Sequence, residues 1–200
     1  MNHSLDFRQT EFLTSAHTLA QLPTDKGREI AFAGRSNSGK SSVLNLITDH
    51  KGLARTSRTP GRTRTMNSYA LGDSVRLVDL PGYGYARVPR NLREYWDKTM
   101  NNYLSMRGSL AGLVLITDIR RELCDSDRML LEWCTAADLP VHVLLNKADK
   151  MSRGAAHGVL HKIKKGSESR EISVQLFSVL QKTGIDELRN WITNRLLDSR

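Results

Sequence analysis

Two hundred residues, 39% of them apolar, suffice for one domain with a single core, and no stretch approaches the roughly 18 consecutive apolar residues of a membrane-spanning helix. Two cysteines, Cys124 and Cys134, and six histidines without ligand spacing give neither a disulfide framework nor a metal knuckle, so the thiols read as small packed groups in a reducing cytoplasm. The formal charge of +9 leaves two readings open, a soluble basic surface or a polyanion partner such as RNA.

In chain order, residues 1–27 read as an N-terminal extension. Asp6 and Glu11 and the lack of an apolar h-region exclude a secretory leader. Phe7, Phe12, Leu13, Leu19 and Leu22 can pack on the following domain before Pro23 ends the segment. Residues 28–200 then form one domain. Glu29–Ala33, with Ile30 and Phe32, predicts a short strand, and Ser42–Thr48, with Val43, Leu44 and Ile47 at helical spacing, predicts a helix. Lys51–Thr65 is a long polar loop around Pro60-Gly61, carrying Lys51, Arg55, Arg58, Arg62 and Arg64 with no acid; loops of this length are usually functional. Met66–Leu71 and Val75–Val78 are too close for a parallel crossover and predict an antiparallel hairpin. A glycine-rich stretch, Asp79–Tyr85, precedes an expected helix over Asn91–Arg107, with Leu92, Tyr95, Trp96, Thr99 and Tyr103 on one face.

From there the pattern alternates. Leu110–Thr117, Val141–Leu145 and Ile172–Phe177 are apolar runs suited to doubly covered parallel strands. Between and after them lie helices at Asp127–Ala137, through Leu130, Trp133, Cys134 and Ala137, at Ser152–Lys165, with Ala156, Val159, Leu160 and Ile163 inward, and at Gly184–Leu197, with Leu188, Trp191, Ile192 and Leu196 on its buried side. A second basic stretch runs from Lys150 through Arg153, Lys162, Lys164 and Lys165 to Arg170, diluted by Glu168 and Glu171. The expected architecture is α/β: a mostly parallel six-stranded sheet with one antiparallel strand and helices on both faces.

Four polar signatures fall at the carboxyl ends of strands, where such sheets bind ligands. Gly34-Arg35-Ser36-Asn37-Ser38-Gly39-Lys40-Ser41 fits G-x-x-x-x-G-K-[ST], followed by Ser42. Its glycines let backbone N–H groups converge on a phosphate chain, Lys40 adds charge at the outer phosphates, and the Ser41 hydroxyl can ligate Mg²⁺. In Asp79-Leu80-Pro81-Gly82, Asp79 can hold Mg²⁺ through water and the Gly82 N–H can meet the terminal phosphate. In Asn146-Lys147-Ala148-Asp149, Asp149 can accept from N1–H and N2–H₂ of guanine, Lys147 can lie along the base, and Asn146 can tie this loop to the phosphate loop. Backbone N–H groups over Ser178-Val179-Leu180 can donate to guanine O6.

Together these stretches resemble the Ras-related, translational-factor-like GTPases, and more narrowly the EngB family of bacterial GTPases. Thr56–Thr63, Asp79–Ala86, Asp118-Ile119-Arg120-Arg121 and Phe177-Ser178 extend the likeness over nearly the whole chain. The resemblance implies a P-loop GTPase fold, GTP and GDP as ligands, Mg²⁺, a cytoplasmic monomer, and a role in assembling the large ribosomal subunit with its rRNA and proteins, linked to normal cell division and septation. It implies that Thr63, within Gly61-Arg62-Thr63-Arg64-Thr65, closes on Mg²⁺ and the γ-phosphate and joins Lys40 in catalysis. Asn37 stands where related potassium-activated GTPases carry an asparagine that helps hold K⁺; shaping the loop is its alternative role. Tyr83 follows Asp-x-x-Gly where a Ras-type enzyme places a glutamine, and an outward phenol there predicts slow hydrolysis. Two other readings stay open: a nucleotide-gated adaptor of a division-site complex, and an ATP-using P-loop kinase, the latter weakened by Asn146–Asp149.

Overall fold

The computed structural model describes residues 5–54, 65–84, 90–166 and 171–197. Its strands are β1 (Glu11–Ala16), β2 (Arg28–Gly34), β3 (Met66–Ala70), β4 (Val75–Asp79), β5 (Leu110–Asp118), β6 (Val141–Asn146) and β7 (Ile172–Leu176). The helices are α1 (Lys40–Ile47), α2 (Arg90–Met106), α3 (Asp125–Ala136), α4 (Arg153–Gly166) and α5 (Ile185–Leu197). The strands form one sheet in the order β1-β3-β4-β2-β5-β6-β7. Only β3 runs against the rest, because it pairs antiparallel with both β1 and β4 while the other pairings are parallel. The central strands are almost wholly buried, which is why they read as unbroken apolar runs.

The sheet has seven strands where the sequence predicted six. The additional one, β1, comes from the expected extension and pairs with β3 through a register break between Phe12 and Thr14. It is an edge strand with five of its six positions outside the core, so it carries no apolar alternation by which to recognise it. Phe7 and Leu22 are buried and Leu19 packs against the core. Phe12 and Leu13 do not pack as expected: they stay 53% and 46% exposed, with Phe12 and Tyr69 in an edge-to-face contact.

Two apolar layers flank the sheet. On one face Val43, Leu44 and Ile47 of α1 and Leu188, Ile192 and Leu196 of α5 close over Phe32 and Leu144. On the other, Tyr103, Leu130, Cys134 and Ala156 from α2, α3 and α4 close over Leu113, Leu115 and Val143. Burial pushes the Cys134 thiol up to about 12, as suits a packed, inert group. Ala137, placed in the helix by the sequence, lies exposed just past the end of α3. Tyr103 is buried, while the side chains of Leu92, Tyr95 and Trp96 fall outside those described.

At the amino-terminal end of the sheet, the carboxylate of Glu29 is fully buried and must therefore be paired. Its Oε1 accepts from Tyr103 Oη (2.7 Å) and Arg107 Nε (2.8 Å), and its Oε2 from Arg76 Nε (3.2 Å). Arg107 and Arg76 also donate to the carbonyls of Pro23 and Lys26. One carboxylate thus clamps β2, β4, the end of α2 and the 23–27 segment together. At the opposite edge, His142 lies between Ser173 Oγ (2.7 Å) and Gln175 Oε1 (2.6 Å), stacked on Trp191.

Burial lowers the His142 pKa to about 4. The unfolded chain, with an ordinary histidine value near 6.5, therefore binds more protons between those limits. The stability owed to neutral His142 is complete above pH of about 6.5 and is lost as pH falls towards 4, by about 3 kcal/mol in total. Urea titrations of wild type and His142→Gln should show their stability gap shrinking by that order between pH 7 and pH 4. A gap independent of pH would remove the burial account.

Candidate functional site

The loop after β2 folds back on itself under tight steric terms. A Cβ on Gly34 would lie 2.5 Å from the Ile116 carbonyl oxygen and 2.8 Å from Ser38 Oγ. Gly39, at φ +100°, opens α1, and a Cβ there would meet Asn146 Nδ2 at 2.4 Å. Asn37 also takes a positive φ of 65°. The first N–H groups of α1 thus open at the loop, where a helix N-terminus favours anions. Lys40 Nζ forms a buried ion pair with Asp79 Oδ1 at the end of β4.

The segment after β4 is zipped to the phosphate loop. Ser36 N donates to the Tyr83 carbonyl (2.9 Å) and Tyr83 N to the Gly34 carbonyl (3.3 Å), which sets Leu80, Pro81 and Gly82 beside the loop. Tyr83 does not point outward, contrary to the expectation from sequence. It is buried, and its hydroxyl donates to Asp127 Oδ1 of α3 at 2.6 Å. Burial, then the Asp127 charge, holds the phenol well above its ordinary range, so it stays protonated. The other oxygen of Asp127 accepts from Cys124 N (2.9 Å) at the start of α3.

A second loop meets the first from the β6 side. Asn146 Nδ2 donates to the Ser38 carbonyl (2.8 Å), and Lys147, itself at φ +64°, donates from Nζ to the Asn37 carbonyl (2.7 Å) and to Asp118 Oδ2 (2.9 Å). Asp118 is also gripped by Arg120 Nε and Nη2 (2.9 and 2.6 Å), and chiefly this guanidinium holds its carboxyl far below the usual range. Asp149 Oδ1 accepts from Ser178 Oγ at 2.5 Å, and that hydrogen bond is the main reason its pKa is lowered. Ala148 N donates to the Phe177 carbonyl (3.0 Å), so the 146–149 and 178–180 loops are joined. Leu180 is 73% exposed and Val179 partly covered.

The structure therefore brings together residues 34–42, 79–82, 146–149 and 178–180. Thr65 sits at the start of β3 with its hydroxyl on Asn67 Oδ1. Gly61, Arg62, Thr63 and Arg64 lie outside the described residues, as do Arg55 and Arg58. Ser38 Oγ and Asn146 Oδ1 are buried without a hydrogen-bond partner among the described residues. Beside the loop lies a cleft of about 270 Å³ bounded by Arg35, Asn37, Asp118, Arg121, Asp127 and Lys147. Sequence reasoning gave no role to Asp127 or Glu29. An acid three residues into a helix, facing the backbone N–H before it, was the available signal for Asp127.

Residues 29–147 match the family model of the 50S ribosome-binding GTPases. The probable GTP-binding protein EngB of Sodalis glossinidius is 47% identical over 191 residues, covering 94% of this chain and 90% of that protein. Those of Coxiella burnetii and Photobacterium profundum are 48% and 49% identical, over 92% and 94% of this chain and 90% and 82% of their own. The chain belongs to the EngB family of GTPases. Among solved structures, a probable GTP-binding protein EngB aligns with TM-score 0.68 at 23% identity, over 84% of this chain and 98% of that one. Era in complex with MgGDPNP and nucleotides 1506–1542 of 16S ribosomal RNA aligns with TM-score 0.66 at 22% identity, over 88% and 58%. These likenesses give the Ras-like fold, into which the EngB chain fits with β1 added at one edge.

In this EngB family member Gly39 supports both ligand-facing loops. Gly39→Ala forces a side chain into a positive φ and against the Asn146 amide, so the Asn146–Ser38 bond must open. Fluorescent-GDP titration should register at least about a tenfold loss of affinity, the equivalent of one hydrogen bond of about 1.4 kcal/mol. Retained affinity would mean that the two loops bind independently.

Proposed function

We propose that this EngB family member is a guanine-nucleotide switch that hydrolyses GTP to GDP and phosphate while acting on a precursor of the large ribosomal subunit. The observation that carries the reading is that the segment bearing the base-reading carboxylate, Asp149, is tied to the phosphate loop through Asn146 and Lys147 and to the 178–180 loop through Ser178. Asp149, ionised, presents two acceptors to the two donors on guanine's Watson–Crick edge, a pair that adenine cannot supply. Lys40, turning from its ion pair with Asp79, and the backbone N–H groups of Gly39–Ser42 would hold the β- and γ-phosphates, and the Gly82 N–H would face the terminal phosphate.

Among the described residues no group of three or more His, Cys, Asp or Glu is gathered for a metal. The sparse oxygen set of the Ser41 hydroxyl and, through water, Asp79 suits Mg²⁺, which keeps waters and substrate phosphates as its remaining ligands. Thr63 is assigned the last protein position. Mg²⁺ supplies charge neutralisation on the phosphate oxygens. Tyr83 is held by Asp127 and cannot orient an attacking water as a glutamine would, so intrinsic turnover is slow. Asn37, whose carbonyl already accepts from Lys147, is assigned a share in a K⁺ site.

The ribosomal assignment is supported by the family description as 50S ribosome-binding GTPases; the linked effect on division and septation rests on the resemblance read from the sequence. A cytoplasmic monomer is the matching expectation; no described helix is long and apolar enough to cross a membrane. Nucleotide-dependent co-sedimentation with large-subunit particles tests this reading. Co-purification with division proteins alone would favour the adaptor.

Two outcomes test the site. Asp149→Asn should trade GTP for xanthosine triphosphate, with at least about a tenfold loss for GTP at 1.5–3 kcal/mol per bond to a charged group. Wild-type GDP affinity in that variant would rule out Asp149 as the base reader. Turnover in K⁺ should exceed turnover in equimolar Na⁺; equal rates would confine Asn37 to shaping the loop.

A further inference from the structure

The solvent side of α4 is charged in a way that helix stability does not call for. Its first turn carries Arg153 and no acid, although a helix N-terminus favours acids, and the whole helix contains no carboxylate. Arg153, Lys162, Lys164 and Lys165 are all exposed, with His157 and His161 among them. Gly154 and Gly158, one turn apart, have nothing within 4 Å of where a Cβ would stand. Each costs the helix up to about 1 kcal/mol against alanine without relieving any crowding.

The charge continues beyond the helix. Lys162 Nζ meets Glu122 Oε1 at 2.8 Å, which places the exposed Arg120-Arg121-Glu122 turn beside α4. Over residues 120–122 and 147–166 eight cationic side chains face two carboxylates, Glu122 and Asp149, and the second of these is committed to Ser178. The band ends at α3, whose outer face carries Asp125 and Glu132.

We propose that the outer face of α4, continued by Arg120 and Arg121, docks on the phosphate backbone of RNA. The inference rests on the proposed ribosomal role and assigns that role a surface. The chemistry favours RNA over the other polyanionic partners. The face has no exposed aromatic or aliphatic anchor of the kind that carries protein–protein affinity, and no apolar stripe to enter a lipid surface. Backbone recognition needs only cations on a surface that can be closely approached, and the two bare glycines provide that approach. The band also borders the proposed nucleotide site, because Asp118 holds Arg120 with both its oxygens and shares Lys147 with the phosphate loop.

The test uses the full chain and a fluorescein-labelled RNA hairpin, titrated by anisotropy at several salt concentrations, with GDP affinity measured on the same samples. Replacing Lys162, Lys164 and Lys165 together by Ala should weaken RNA binding about tenfold or more and lower the slope of log K against log salt by about 2, at 0.7–0.9 per lost phosphate contact. Gly158→Glu sets a carboxylate into open space in a better helix-forming residue, so it leaves folding intact and should weaken RNA binding at least about fivefold. GDP affinity should be unchanged in both. Wild-type RNA affinity and salt slope in the two variants would overturn the proposal, as would a poly-glutamate chain of equal charge competing as well as unlabelled hairpin. Failure of the wild type to bind GTP would instead strike at the proposed switch itself.

Discussion

The amide of Asn146 reaches the carbonyl of Ser38 across 108 residues of sequence, and the two ligand-facing loops depend on that meeting. A phosphate loop is a strained turn with its carbonyls forced outward, and here two of those carbonyls, at Asn37 and Ser38, are satisfied by side chains from the loop after β6. The hydrogen bonds that complete one loop therefore orient the other. The parallel pairing of β2 with β5 and of β5 with β6 sets the spacing that makes this possible, since it brings the carboxyl ends of all three strands to one side. The junction therefore holds the loop after β2 and the loop after β6 at one fixed spacing.

A second junction lies on the side of the chain that follows β4. The Tyr83–Asp127 hydrogen bond pins the stretch beyond Asp79 to α3, and the Glu29 clamp pins the far end of α2 to β2 and β4. Between these two fixed points lie residues 85–89 and the beginning of α2. Glu29, a buried carboxylate set among the guanidinium groups of Arg76 and Arg107, is costly to assemble but fixes geometry; Asp127 does so with the neutral hydroxyl of Tyr83 and the N–H of Cys124.

Much of this was legible beforehand. Glycines with a lysine and serine at fixed spacing, an Asp-x-x-Gly, and an Asn-Lys-x-Asp after a buried strand each carry a local mechanism, so they could be placed without knowing the fold. The parallel strands were legible because burial on both faces leaves continuous apolar runs such as Leu113–Ile116. β1 was not legible, because an edge strand with little buried surface leaves no pattern. Nor was the direction of Tyr83, which depends on Asp127, 44 residues later, being carried to it by α3. Glu29 read as an ordinary first strand residue because its partners at 76, 103 and 107 converge only in three dimensions.

β1 also bears on how the protein can be handled. It covers the outer hydrogen-bonding row of β3 along Met66–Ala70, and its own outer row is broken by the irregularity between Phe12 and Thr14. A chain trimmed to start at Arg28 would keep the nucleotide loops yet bare a straight row of backbone donors and acceptors on β3, beside the ring of Tyr69. Such a row is a template for another chain, so the cost of trimming would appear in solubility and storage life before it appeared in turnover.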